Sequence, residues 1–232
     1  YTLSLHDALP ICHCNLVATA MPSGAQYRLA RAAIFLIGFT GIRREEAAGA
    51  RFPHLAILQS KAGPLWELKV IGKRMKQRSV FLPARAVSAL EAHWADRQHA
   101  YEPTLDRALL SPLQIPKTEA AIRRHLSKQD ALTGEGFQPD GLYRMLKRMF
   151  IKLARDPRLS LSDVERGTLA QCATHALRHT FATHAVAKKM PIDVLQRLLG
   201  HSHPQTTAIY VQAERARSIE EVHKLYTTMG MS

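Results

Sequence analysis

The segment from His175 to Tyr210, HALRHTFATHAVAKKMPIDVLQRLLGHSHPQTTAIY, constrains this chain more than any other, because it crowds histidine, arginine and tyrosine among helix start and stop signals. His175 and Arg178 are three apart, so on a helix both side chains leave one face a turn apart and together can grip one anion. Downstream, Pro191 suits a first helical position, Ile192, Leu195, Leu198 and Leu199 form an apolar stripe, and Gly200 suits a helix C-terminus. His201 then falls just past a helix end. Pro204 can start a second, short helix containing Tyr210, and the bend between the two can bring His201 and the Tyr210 hydroxyl to one point.

Singly, these residues have plainer roles. A histidine at a helix end is often a cap or a hydrogen-bonded core residue, and a lone tyrosine usually packs with its tip in water. The segment also reads as a helix-turn-helix, with 191–199 as the first helix and 204–213 as the recognition helix. The combined spacings favour another reading. HALRHTFATH followed by LLGHSHPQTTAIYV resembles the C-terminal boxes of the tyrosine recombinases, the phage integrase family. There His-x-x-Arg precedes Leu-Gly-His, and a tyrosine follows nine residues after that histidine, as Tyr210 follows His201.

TGIRREEAAGARFPHL resembles the family's first box, with Arg43 after Thr40-Gly41-Ile42 and Glu46 three residues on. Arginine suits a phosphate site because its planar fork makes paired hydrogen bonds and stays charged. Alone, Arg43, Arg44, Glu45 and Glu46 would read as an exposed charged helix. Within the family pattern, Arg43 becomes the first catalytic arginine and Glu46 its support. Before this box, Tyr27 to Phe39 is densely apolar and reads as a buried helix ending near Gly38 or Gly41.

Trp66 to Val70 alternates apolar and polar residues like a half-buried strand, and Ser79 to Leu82 reads as its partner. Between them, residues 71–78 form a basic hairpin tip. In the resembled family a lysine on this hairpin enters the cleft beside the scissile phosphate. Lys73 is the match because it follows Gly72 directly, with Lys76 as the weaker alternative since Arg74 stands where the family often has a second glycine. Helices are expected from Pro83 to about Gln98 and from Gly141 to Arg155, with a short extended piece at Ala108–Ser111. The outer face of the second helix, with Arg144, Lys147, Arg148 and Lys152, is either a phosphate-contacting or an ordinary solvated face. Residues 112–140 form a polar insertion, and the stretch from Glu214 to Tyr226 looks helical.

The chain of 232 residues carries 32 Lys plus Arg against 19 Asp plus Glu, a net charge of +13 that favours a polyanionic partner. No apolar run approaches the roughly 18 residues of a membrane span. The three cysteines cannot frame a small disulfide-built fold, which fits a reducing interior. Cys12-His13-Cys14 lacks a second ligand pair at a useful spacing, so no metal is expected.

The resemblance implies a mainly α fold with a small antiparallel β-sheet (α+β) that carries the lysine hairpin. Residues 27–232 would be the catalytic domain, and residues 1–26 an atypical N-terminal segment, artefactual or a truncated linker. The helical core-binding domain of the family is expected to be absent from this chain. The implied function is site-specific DNA recombination, in which strands are cleaved and rejoined through a 3′-phosphotyrosine without a cofactor. Tyr210 would be the nucleophile, Arg43 and Arg178 would hold the phosphate, Lys73 would protonate the leaving oxygen, and His175 and His201 would assist proton movement. Double-stranded DNA is the implied partner, bound by a homo-tetramer to which the C-terminal helix contributes, in a cytoplasmic, nucleoid-associated setting. A type IB topoisomerase-like nicking and resealing enzyme, or a truncated non-catalytic DNA-binding protein, are the alternatives.

Overall fold

The computed structural model describes residues 24–61, 63–72, 75–113, 119, 136–201, 205–212 and 219. Lys73, Pro204, the Cys12-His13-Cys14 cluster, most of the polar insertion and nearly all of the expected C-terminal helix lie outside these. The elements run α1 (Ala25–Thr40), α2 (Arg44–Gly49), β1 (Leu55–Ser60), β2 (Gly63–Ile71), β3 (Gln77–Leu82), α3 (Ala84–Ala95), α4 (Pro139–Ala154), α5 (Asp163–Gln171), α6 (Thr174–Ala187) and α7 (Ile192–Leu199), with a further helical stretch over 205–212. Among the described residues the fold is mainly helical with a three-stranded antiparallel sheet in the order β1-β2-β3. Among the described residues, no helix is long and apolar enough to cross a membrane.

A helix apolar on nearly all sides belongs in the interior, and α1, buried almost continuously from Leu29 to Thr40, sits there. It packs against α3 and α6 and also meets β3 and α4. The sheet turns Leu68, Val70, Val80 and Leu82 into the same core, with Leu68 paired to Val80 and Trp66 to Leu82. Both strands run further toward the turn than their alternation suggests: Ile71 pairs with Gln77 and Arg78 with Val70, so Ile71, Gln77 and Arg78 belong to strands rather than to a loose tip. Of the basic face on α4, Lys147 donates to the Ala170 carbonyl at 2.9 Å and Lys152 lies over the Tyr27 ring, 4.7 Å from its centroid. Both therefore serve packing.

α1 ends where the sequence suggests. Gly41 takes the left-handed conformation (φ 64°) and its N–H closes on the Ile37 carbonyl at 2.8 Å. A Cβ there would lie 2.4 Å from Cδ1 of Phe181 on α6 and 2.9 Å from Cδ2 of Leu199 on α7. The glycine thus answers two demands, a left-handed cap and a close helix approach. Gly41→Ala should cost about 1–3 kcal/mol from overpacking alone. Urea unfolding would read this as a lower midpoint at unchanged slope, and an unmoved midpoint would refute the close packing of this turn.

A second, smaller core joins α6, α7 and the 205–212 helix through Ala182, Ala185, Leu195, Leu199 and Tyr210, with Phe181, Val186 and Met190 against it. The stripe expected on α7 is narrower than the sequence suggests. Leu195 and Leu199 are buried, but Ile192 is 38% exposed, because Pro191 acts as N-cap and leaves Ile192 in the unpacked first turn.

Candidate active site

The site is organised by the end of α7. Gly200 closes this helix in the left-handed conformation (φ 63°). The last carbonyls of a helix have no partner within it and carry the negative end of its dipole. Three arginines from distant parts of the chain supply the donors, each to a successive carbonyl. Arg78 on β3 gives its Nε–H to Leu198 at 2.7 Å, Arg178 on α6 gives an Nη2–H to Leu199 at 2.7 Å, and Arg43, the N-cap of α2, gives an Nη2–H to Gly200 at 3.0 Å. A Cβ on Gly200 would stand 2.9 Å from the Arg78 guanidinium.

Glu46 balances this charge. Its carboxylate accepts the Arg43 backbone N–H at 2.7 Å, as an acidic residue in a first helical turn can, and the Arg43 guanidinium at 3.3 Å. It also takes the two-pronged fork of Arg78 at 2.5 and 2.7 Å. Burial pushes the Glu46 carboxyl up, but the Arg78 and Arg43 hydrogen bonds and charges more than offset this and hold it below the usual carboxylate range.

Arg178 is 4% exposed and also donates to the Gly41 carbonyl and to Nε2 of His201, the latter at 2.9 Å. A guanidinium only donates, so His201 Nε2 accepts. The ring proton then sits on Nδ1, which donates to Thr207 Oγ1 at 2.9 Å. Burial first, then Arg178, Arg43 and Arg78, push the His201 pKa down to about 4, keeping the ring neutral at pH 7. The same forces, burial followed by Arg178 and Arg43, lower the pKa of His175. Burial, then Arg43, brings Arg178 down to about 10, still a cation at neutral pH. Arg43, His175 and Arg178 share the wall of a cavity of about 340 Å³ with Arg44 and Tyr143.

Tyr210 is 5% exposed. Its ring lies nearly parallel to that of His201, with centroids 6.5 Å apart and planes at 9°. Its hydroxyl is 2.9 Å from Nδ1 of His179. The structure therefore gathers Arg43, His175, Arg178, His201 and Tyr210 around the end of α7. Lys73 lies outside the described residues, and Lys76 lends its carbonyl to the Gly72 N–H at 2.8 Å. Two further residues, Arg78 and His179, join the site. By sequence Arg78 falls in a basic turn, and only its tertiary pairing with Glu46 reveals its place. His179 had a signal, since it stands one helical turn beyond His175 on the same face.

Residues 15–217 match the sequence profile of the phage integrase family. The chain belongs to this family. Among its relatives is tyrosine recombinase XerC 2 of Ralstonia nicotianae, 32% identical over 208 residues that cover 89% of this chain and 49% of the relative. Another is tyrosine recombinase XerD of Shewanella oneidensis, 26% identical over 200 residues, with 86% and 54% covered. The fold is similar to the XerH site-specific recombinase bound to palindromic difH substrate in a post-cleavage complex, with a TM-score of 0.64, 20% identity, and 97% of this chain and 54% of that one covered. The chain spans about half the length of these curated relatives. In this phage integrase chain, the His-x-x-Arg box is α6, Leu-Gly-His is the end of α7, and the arginine of the first box caps α2.

Proposed function

We propose that this chain is the catalytic domain, over residues 27–232, of a site-specific DNA recombinase. Tyr210 attacks a backbone phosphate, a bond forms between its oxygen and phosphorus, and the bond to the 5′ oxygen breaks. The energy of the phosphoester is kept in the 3′-phosphotyrosine, so rejoining needs no nucleotide cofactor. Arg43 and Arg178 stabilise charge on the nonbridging oxygens. Lys73 protonates the leaving 5′ oxygen, and neutral His175 and His201 orient the phosphate and its proton partners.

The observation that carries this reading is the convergence of Arg43, Arg178 and His201 on the end of α7, beside a buried tyrosine. The names of the relatives and the net charge of +13 support duplex DNA as the partner. Assembly as a homo-tetramer on DNA, aided by the segment after the 205–212 helix, and a place on the nucleoid belong to the same proposal.

Covalent capture on a pool of nicked duplexes of random sequence tests it. The nick lets the strand beyond the cut diffuse away, so cleaved protein stays attached. Peptide mapping should find DNA on Tyr210. Attachment at Tyr226, or no attachment at all, would overturn the reading.

A further inference from the structure

Along one side of α6 the polar groups meet two different sets of neighbours. His175 and Arg178 line the cavity with Arg43, whereas His179, a turn beyond His175, takes the Tyr210 hydroxyl at 2.9 Å. The rings of His175 and His179 meet edge to face with centroids 4.4 Å apart, and His179 and Tyr210 stand 5.5 Å apart. Among the described residues, the hydrogen-bond partner of the Tyr210 hydroxyl is His179.

A phenol attacks phosphorus poorly until it gives up its proton, so a nucleophilic tyrosine needs a base within hydrogen-bond reach. Burial makes this need greater here by raising the Tyr210 pKa, an effect that Arg178 opposes. His201 is poorly placed for the task, because Nε2 already accepts from Arg178 and Nδ1 is committed to Thr207. His175 faces the cavity instead.

We propose, on the reading of Tyr210 as nucleophile, that His179 is the catalytic base of this site. In the tautomer with its proton on Nε2, the hydroxyl donates to Nδ1. As the bond from the tyrosine oxygen to phosphorus forms, the hydroxyl proton passes to Nδ1. The bond from phosphorus to the 5′ oxygen breaks, and that oxygen leaves with the electron pair and is protonated by a separate acid. In rejoining, a 5′ hydroxyl gives its proton back to that separate acid as it bonds to phosphorus, the bond from phosphorus to the tyrosine oxygen breaks, and His179 returns the proton to that oxygen. Loss of His179 should therefore slow both directions.

The test measures single-turnover adduct formation on a captured nicked duplex with the unaltered chain, His179→Ala, His179→Asn and Tyr210→Phe. The asparagine amide oxygen can stand where Nδ1 stands and accept from the hydroxyl, but it cannot take the proton. Both His179 variants should be slower by about 10²–10⁴-fold, the usual range for general acid–base catalysis. Duplex binding should persist, and His179→Asn should melt as the unaltered chain does. A 5′-bridging phosphorothiolate, which leaves as a thiolate and needs little protonation, should restore neither variant.

A near-normal rate in His179→Asn would overturn the proposal and leave His179 only a holder of the hydroxyl. Faster cleavage by His179→Ala would make it a restraint, and recovery with the phosphorothiolate would move it to the leaving-group side. An adduct that persists in Tyr210→Phe, or that never forms with the unaltered chain, defeats the underlying reading of Tyr210. Normal His179 variants beside an inert Tyr210→Phe defeat the base assignment alone.

Discussion

Arg178→Ala should slow covalent-adduct formation by about 10²–10³-fold, the range for removing one preorganised donor from a developing anion, while duplex affinity changes far less. Arg178 is buried, is held by the Gly41 and Leu199 carbonyls and His201, and lines the cavity where a phosphate would sit. A donor so fixed needs little reorganisation when charge builds on an oxygen. General affinity, by contrast, draws on the whole excess of positive charge. The substitution should also destabilise the fold, because a buried acceptor left without a donor costs about 1–3 kcal/mol. Rates must therefore be compared at temperatures where both proteins are folded. Arg178→Lys should recover little, since a lysine cannot reach separate carbonyls and a phosphate with one planar fork. Equal losses in binding and cleavage, or near-normal cleavage by the lysine variant, would contradict the role.

Much of this arrangement is legible in the sequence, for identifiable reasons. Helix caps are local: Gly41 and Gly200 mark the ends of α1 and α7 because each must take a left-handed conformation, and the sequence shows the glycine. The β2–β3 hairpin was visible because one face is buried and alternation records it. β1 was not, since Leu55 alone is buried and Ile57 is 52% exposed, which leaves an edge strand without a two-residue rhythm. α5 carries a local signal in its reciprocal cap, with Glu165 accepting the Ser162 N–H at 2.8 Å and Ser162 Oγ accepting the Glu165 N–H at 3.3 Å, but Leu169 is its one buried residue, which leaves no apolar stripe to mark the helix.

The chemistry divides in the same way. Spacing within α6 places His175 and Arg178, and spacing across the α7 cap places His201 near the 205–212 helix. What spacing cannot show is which side chain satisfies a carbonyl over a hundred residues away. Arg78 and Leu198 are 120 positions apart and Arg43 and Gly200 are 157 apart. No local pattern predicts that three arginines share the end of one helix. The physical demand for donors at that end explains the arrangement only once the fold has brought them there.

Glu46→Ala should destabilise the protein by about 3–5 kcal/mol, the usual loss when one member of a buried ion pair is removed. The carboxylate is nearly inaccessible and serves two arginines, so its removal leaves Arg78, itself largely buried, without its main counter-charge. Glu46→Gln should cost less, because the amide oxygen still accepts, although its NH₂ must face a guanidinium that only donates. The ionised carboxylate also predicts a pH dependence. Its pKa in the folded chain lies below the ordinary value near about 4.3 that an unfolded chain would show. Its contribution is therefore complete above that ordinary value and disappears as pH falls through the depressed one. Chemical denaturation from pH 7 downward should show this acid loss in the unaltered protein and a smaller one in Glu46→Gln. Arg78→Ala should be strongly non-additive with Glu46→Ala, because each removes much of what the other would lose. A loss below about 1 kcal/mol in Glu46→Ala, within the range of an exposed ion pair, would mean that the bridge is cosmetic. Additive double-variant energies would separate Arg78 from Glu46 and leave the end of α7 as the main anchor of Arg78.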